Sequence, residues 1–161
     1  YVTEKGLMNG TSASTFSPDA AMTRAMMVTI LWRMEKEPAA LKSNFTDLTA
    51  DWYRTAVDWA AETGVVNGVG NGKFAPNATL SLEQLITILY RYAENKGYNV
   101  SKSASLDSFT DGSAVSAYAR PAMQWAVGMN FLSGNTLTPC APASRAQIAQ
   151  VLMLFCKAYI K

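Results

Sequence analysis

A chain of 161 residues with 49% hydrophobic and 16% charged residues carries enough apolar material for one compact domain, or for several small units sharing a core. Its net charge of +2 comes from Lys and Arg scattered along the whole length, so no basic stripe suits a nucleic-acid backbone or an anionic membrane surface. The absence of His excludes Ser-His-Asp and Cys-His nucleophile systems and most zinc sites, and no apolar run approaches the length that spans a bilayer.

The first predicted helix runs from Thr23 to about Glu35, after the turn sequence Phe16-Ser17-Pro18-Asp19. It opens on Thr23-Arg24-Ala25-Met26, where the Thr oxygen can accept a free N–H of the first turn. Arg24 is the anomaly, because a cation there faces the positive end of the helix dipole at a cost of a few tenths to about 1 kcal/mol. A polar connection, Glu37 to Asn44, leads to a second predicted helix, Asp51 to Thr63. Its Trp52, Ala56, Val57, Trp59 and Ala60 form an apolar stripe, and Gly64 stands where a left-handed cap ends a helix. The loop Asn67 to Gly72 reverses the chain, and Phe74 and Pro76 follow in a short extended segment.

Ser81 then opens a third helix, with Gln84 placed to complete a capping box and Leu82, Leu85, Ile86, Leu89, Tyr90 and Ala93 on the buried side. Asn95 to Ser108, rich in Ser and Lys, is a second connection. Ser116 to Gly128 forms the next helix, although Pro121 places its true start near Ala119 or kinks it. Ser144 with Gln147 caps the last helix, which reaches about Ile160. Cys140 precedes that helix and Cys156 lies about twelve residues into it, roughly 18 Å along the axis at 1.5 Å per residue, so both are expected to be free thiols, Cys156 as a small buried hydrophobe.

The elements repeat. A shift of 58 carries Phe16 to Phe74, Pro18 to Pro76, Thr23 to Ser81 and Ile30 to Ile88, and lays residues 1–10 on residues 59–68. In a third copy Phe45 returns as Phe109, Asp47 as Asp111, Trp59 as Trp125, Gly68 as Gly134 and Ser81 as Ser144. The repeats span residues 1–36, 45–96 and 109–161. Copy one is partial, since its counterpart of the Phe-Thr-Asp start is expected upstream of Tyr1. The N-terminus Tyr1-Val2-Thr3-Glu4 has neither the basic start nor the apolar middle of a secretory leader, which fits a piece of a larger secreted protein. Two helices cannot bury their apolar faces alone, so the units are expected to pack on one another, in a pseudo-threefold arrangement rather than an open solenoid.

The order Phe-x-Asp, a helix with Trp, Gly-x-x-x-Gly, Phe-x-Pro, then Thr/Ser-Arg-Ala opening a helix resembles the S-layer homology domain, a module that usually occurs three in a row in bacterial surface proteins. The resemblance covers nearly the whole chain. It implies an all-α, pseudo-threefold assembly of helix-loop-helix repeats sharing one core, with grooves between adjacent repeats. It also implies a non-catalytic function without cofactor or metal, namely anchoring at the extracellular cell wall or S-layer. The implied partner is a secondary cell-wall polymer linked to peptidoglycan, commonly bearing pyruvylated N-acetylmannosamine.

Carried over to this sequence, the Thr-Arg-Ala-Glu motif matches Thr23-Arg24-Ala25 and Ser144-Arg145-Ala146, with Met26 and Gln147 departing at the fourth position. Leu82 replaces the Arg in copy two, which is expected to impair the groove built there. Asp47 with Trp52, and Asp111 with Tyr118, are the matching positions that could complete a groove. The pyruvyl carboxylate would lie against the first-turn N–H groups and the Arg fork, and the sugar face on an aromatic such as Trp52. A solvated Arg or a salt bridge is the plain alternative for Arg24 and Arg145. Trp59 and Trp125 fall in the core stripe, and Gly68 and Gly134 most simply supply tight turns, with close approach to ligand as the lesser reading. Two other functions are open to the sequence. Asp58 and Glu62 share a helix face as a glycosidase pair would, and Met22, Met26, Met27 and Met34 could form an adaptable protein-binding surface.

Overall fold

The computed structural model describes residues 1–12 and 14–160. Among the described residues the fold is all-α: α1 (Arg24–Met34), α2 (Asp51–Glu62), α3 (Leu82–Asn95), α4 (Arg120–Gly128) and α5 (Arg145–Tyr159), with one 3-10 turn at Gly112–Ala114. The predicted extended segments reduce to isolated bridges, Thr23 with Thr79 and Ser81 with Pro142. Pro121 lies in the first turn of α4, which starts behind Ala119, so the proline costs no helical hydrogen bond. No helix among the described residues is long and apolar enough to cross a membrane.

The chain forms two compact units, Tyr1–Ser17 with Ala21–Thr79, and Pro18–Ala20 with Leu80–Lys161. In the first unit α1 packs on α2. Met27, Val28 and Leu31 of α1 and Tyr53, Ala56, Val57 and Ala60 of α2 are buried, each large side chain contributing about 1.5–3 kcal/mol by leaving water. The stripe of α2 therefore runs through Tyr53, and Trp52, expected in it, is 54% exposed. Tyr53 turns inward because its hydroxyl oxygen accepts the N–H of Thr49 at 3.1 Å and of Ala50 at 3.3 Å, tying off the start of the helix. Gly64 ends the helix region at φ 72°, as its position predicts.

The supposed glycosidase pair has a different occupation. Asp58 Oδ1 accepts the N–H and the hydroxyl of Ser43, at 3.0 and 2.5 Å, and Glu62 Oε2 accepts the N–H of Leu41 at 3.1 Å. Both carboxylates pin the connection 41–43 along α2. Met22 and Met27 are fully buried, which removes half of the supposed methionine surface.

In the second unit α3 packs on α4. Trp125 of α4 meets Tyr90 of α3 and Phe131 edge-on, with ring centroids 5.3 Å apart in each case, and meets Phe155 of α5 at 6.4 Å. Tyr90 is only half-buried, unlike its neighbours on that face of α3. The indole N–H of Trp125 donates to the Tyr159 hydroxyl at 3.3 Å, and that hydroxyl donates to Asn99 O at 2.7 Å. Buried Glu83 accepts from the Ser116 N–H at 2.9 Å, the Ser116 hydroxyl at 2.6 Å and the Tyr118 hydroxyl at 3.3 Å, fixing the approach to α4 on the first turn of α3. Cys140 is exposed and Cys156 buried, and neither is in a disulfide.

Candidate functional site

The three aligned helix starts are built alike. Thr23 Oγ1 accepts the N–H of Met26 at 3.2 Å. Ser81 and Ser144 form capping boxes with Gln84 and Gln147, whose side-chain oxygens accept the Ser N–H at 3.0 and 2.9 Å. The remaining first-turn N–H groups are also taken. Arg24 and Ala25 donate to Ala78 O and Pro76 O, both at 3.0 Å. Leu82 and Glu83 donate to Ala141 O and Pro139 O at 3.1 and 3.0 Å. Arg145 and Ala146 donate to Ala20 O and Pro18 O, both at 2.9 Å.

This corrects the expectation of an anion held on free helix N-termini. In each case two carbonyls of a Pro-x-Ala segment already satisfy the donors, so the backbone there has nothing left for a ligand.

The acids matched to the groove are engaged as well. Asp47 accepts the N–H of Phe74 at 2.9 Å and of Ala75 at 2.8 Å, one on each carboxylate oxygen. Asp111 does the same with Leu137 at 2.8 Å and Thr138 at 2.7 Å. The geometry follows from a backbone feature absent from the sequence reading: Ser17, Ala75 and Thr138, each directly before a proline, have φ of 52°, 56° and 49°. A left-handed residue after a right-handed or extended one turns successive N–H groups toward one point and forms an anion nest. In two of the three repeats the chain's own Asp fills it. The hydrogen bonds from Leu137 and Thr138 hold the Asp111 carboxyl below its ordinary pKa. For Asp47, burial pushes the pKa up, but the bonds from Phe74 and Ala75 and the nearby Lys73 outweigh it and the net direction is down.

Arg24 lies beside the first of these clamps. Its Nε–H donates to Phe74 O at 2.9 Å and an Nη2–H donates to Asn67 O at 2.8 Å, and its guanidinium carbon sits 4.7 Å from the centre of the Phe74 ring. Both acceptors are neutral carbonyls. Among the described residues Arg24 forms no salt bridge, and no acceptor meets Nη1. Burial pushes its pKa down while the Asp47 charge raises it, with a net lowering. The alternatives of a solvated Arg or a salt bridge are thus replaced by a third arrangement, a half-buried cation oriented by backbone and retaining an open edge.

The first unit brings Thr23, Arg24, Asp47 and Gly68 together around Phe74. Gly68 follows Asn67, and a Cβ on it would come within 2.6 Å of the Phe45 ring and 2.7 Å of Lys73 O, so this glycine serves close packing within the chain. Trp52 is exposed on the outer face of α2, its ring edge-on to Tyr53 at 4.9 Å. In the second unit Ser144 caps α5, Arg145 is buried, Asp111 clamps its turn, and Gly134 adopts φ 112° with open space where a side chain would stand. Tyr118 is 56% exposed, matching Trp52 at the equivalent repeat position, and its hydroxyl pKa is raised by partial burial and by Glu83. Trp59 and Trp125 are buried, as their spacing predicts.

The family model described as S-layer homology domain matches residues 1–26, 44–86 and 108–149, three segments in the order of the repeats. The chain belongs to the S-layer homology family. It is similar to an endoglucanase of Bacillus sp. (strain KSM-635), 33% identical over 156 residues, which cover 92% of this chain and 16% of that protein. It is similar also to the surface-layer 125 kDa protein of Lysinibacillus sphaericus, 30% identical over 155 residues, covering 92% of this chain and 13% of that protein. A cellulosome-anchoring protein of Acetivibrio thermocellus is 26% identical over 105 residues, 62% of this chain and 24% of that protein. The matched part of the chain therefore spans less than a quarter of the length of each of these relatives.

Proposed function

We propose that this S-layer homology chain is a non-catalytic anchoring module that tethers a larger surface protein to a secondary cell-wall polysaccharide linked to peptidoglycan, through a sugar that carries a carboxylate such as a pyruvyl ketal. Membership of the family, together with a surface-layer protein and a cellulosome-anchoring protein among the relatives, supports the coarser part of this reading, a module acting at the cell surface. The similarity to an endoglucanase touches only 16% of that enzyme, which fits a shared accessory module.

The observation that carries the finer part is Arg24. A cation removed partly from water, hydrogen-bonded only to carbonyl oxygens and with Asp47 acting on it through space alone, can still take a hydrogen-bonded counter-charge. Its Nε and Nη2 are fixed on Phe74 O and Asn67 O, so the free Nη1 edge presents a donor in a set direction. A ligand carboxylate there makes a charge-assisted hydrogen bond without first ordering a long side chain. Exposed Trp52 and Tyr118, at matching repeat positions, offer apolar ring surface of the kind on which a pyranose face stacks.

The test is co-sedimentation of the protein with purified bacterial sacculi in three preparations: native, stripped of secondary polymer, and retaining polymer without its pyruvyl groups. Binding is expected to native sacculi alone. Equal binding to stripped sacculi removes the polymer as partner, and equal binding after loss of pyruvyl groups removes the carboxylate.

A further inference from the structure

Within the second unit, the start of α3 lacks the Arg. Leu82 stands at the position of Arg24, Ser133 at that of Asn67, and Leu137 at that of Phe74. In the first unit the guanidinium spans from Phe74 O to Asn67 O. In the second, Leu82, Ser133 and Leu137 instead line an open cleft of about 250 Å³. Its apolar lining includes Leu82, Phe131 and Val151, each largely buried. Its polar lining is of amides and hydroxyls, among them Gln147 and Gln150 of α5, and no lining residue is ionisable.

The hydrogen-bonding groups of that rim are partly committed and partly open. Gln147 Oε1 is held by the Ser144 N–H at 2.9 Å, which orients its amide and leaves the NH2 without an acceptor among the described residues. The Thr138 hydroxyl donates to Leu137 O at 2.8 Å, occupying the acceptor whose counterpart takes Nε of Arg24. Ser133 O, the counterpart of the carbonyl that takes Nη2, accepts no hydrogen bond among the described residues.

We infer that this cleft is a second sugar subsite, one that selects an uncharged N-acetylated hexosamine residue where the Arg24 site selects a carboxylate. The inference rests on the glycan-binding reading of the chain. An acetamido group matches this lining in kind: its methyl suits the apolar side chains of Leu82 and Val151, its N–H an open carbonyl of the kind Ser133 presents, and its C=O the amide NH2 of Gln147. The volume admits one pyranose residue, below the range of drug-sized pockets. A carboxylate would enter without any cation to meet it and would lose its hydration. The Arg-to-Leu change thus alters what the groove takes, rather than simply impairing it.

The experiment is a titration of the full, isotope-labelled chain with methyl N-acetyl-β-glucosaminide, followed by NMR. Saturable shifts are expected at Leu82, Gln147 and Val151. Methyl β-glucoside, which lacks the acetamido group, is expected to bind at least about fivefold more weakly, and methyl β-glucuronide no more tightly than the glucoside. Leu82→Arg and, at an exposed rim position, Ser133→Trp each fill the cleft and should abolish the shifts, whereas Arg24→Ala should leave them in place. Absence of shifts at these residues, undiminished shifts in both filled variants, or preference for the glucuronide overturns the inference. Because the readout uses free sugar, failure of sacculus binding with intact shifts removes the anchoring reading alone, and sacculus binding with no shifts removes this one alone.

Discussion

Arg24 has a structural role and, on the proposed reading, a binding role for one guanidinium, and the two are separable by substitution. Arg24→Ala removes two charge-assisted hydrogen bonds to backbone and the ring contact with Phe74, which at a half-buried position should cost about 1 kcal/mol in urea unfolding. On the proposed reading it also weakens sacculus binding by about tenfold or more. Arg24→Lys keeps the charge, but an ammonium on a flexible stem cannot bridge Phe74 O and Asn67 O while still offering a fixed third donor. Binding should therefore fall nearly as far as in the Ala variant. Full binding by Arg24→Lys would mean that charge alone, without the fork, suffices.

The clamping acids make a second prediction at the same scale. Asp47 and Asp111 have depressed pKa values in the folded chain, so their contribution is present above the unfolded carboxyl pKa of about 3.9 and is lost as pH falls through the folded values. The urea midpoint should hold steady from neutral pH down to about pH 5 and then drop below about pH 4. In Asp111→Asn the acid limb should be shallower, because one of the carboxylates that must be protonated is gone. An unchanged acid limb in that variant would assign the acid sensitivity elsewhere.

At the scale of elements, the helices were legible because each combined a cap with an apolar period. Thr23, Ser81 and Ser144 cap as expected, and the observed bounds of all five helices fall within a few residues of the expected ones, α4 starting behind Ala119 as Pro121 demands. The turns before the prolines were not legible. A residue preceding Pro is steered toward extended conformations, yet Ser17, Ala75 and Thr138 are left-handed. The roles of Asp47 and Asp111 depend on those turns, so the acids read as open groove positions and are in fact consumed by backbone. Spacing alone admits Trp52 to the core stripe, because 52, 56, 59, 60 and 53, 56, 57, 60 both satisfy helical spacing, and the hydroxyl bonds of Tyr53 decide between them.

This makes Ala75 a test of strain. Ala75→Gly relieves a left-handed Cβ at about 1–2 kcal/mol and gives back about 0.4–1 kcal/mol in unfolded-chain entropy, so a net gain of about 0.5 kcal/mol is expected in urea unfolding. Ala75→Val should destabilise instead. Glu83 is a second elemental device, and the capping signal of Ser81 and Gln84 gives no sign of it. Glu83→Ala strands the Ser116 N–H and hydroxyl and should cost about 2 kcal/mol, and Glu83→Gln, which still accepts, should cost less.

For the molecule as a whole, the charge pattern sets how binding should respond to salt. Fourteen basic and twelve acidic side chains, scattered along the chain, give a net charge of +2 and no concentrated field to collect an anionic polymer from a distance. The proposed recognition instead uses one preorganised guanidinium at the Arg24 site and an uncharged cleft in the second unit, so few ions are released on binding. Raising NaCl from about 0.05 M to about 0.5 M shortens the screening length from roughly 14 Å to roughly 4 Å, which weakens long-range attraction far more than a hydrogen-bonded contact at 2.8–3.0 Å. Sacculus affinity should consequently fall by less than about tenfold across that range, and Arg24→Ala should flatten even that dependence. A steep loss of affinity, in the manner of a polycation on a polyanion, would instead require many weak contacts with scattered Lys and Arg, and would be insensitive to any single substitution at position 24.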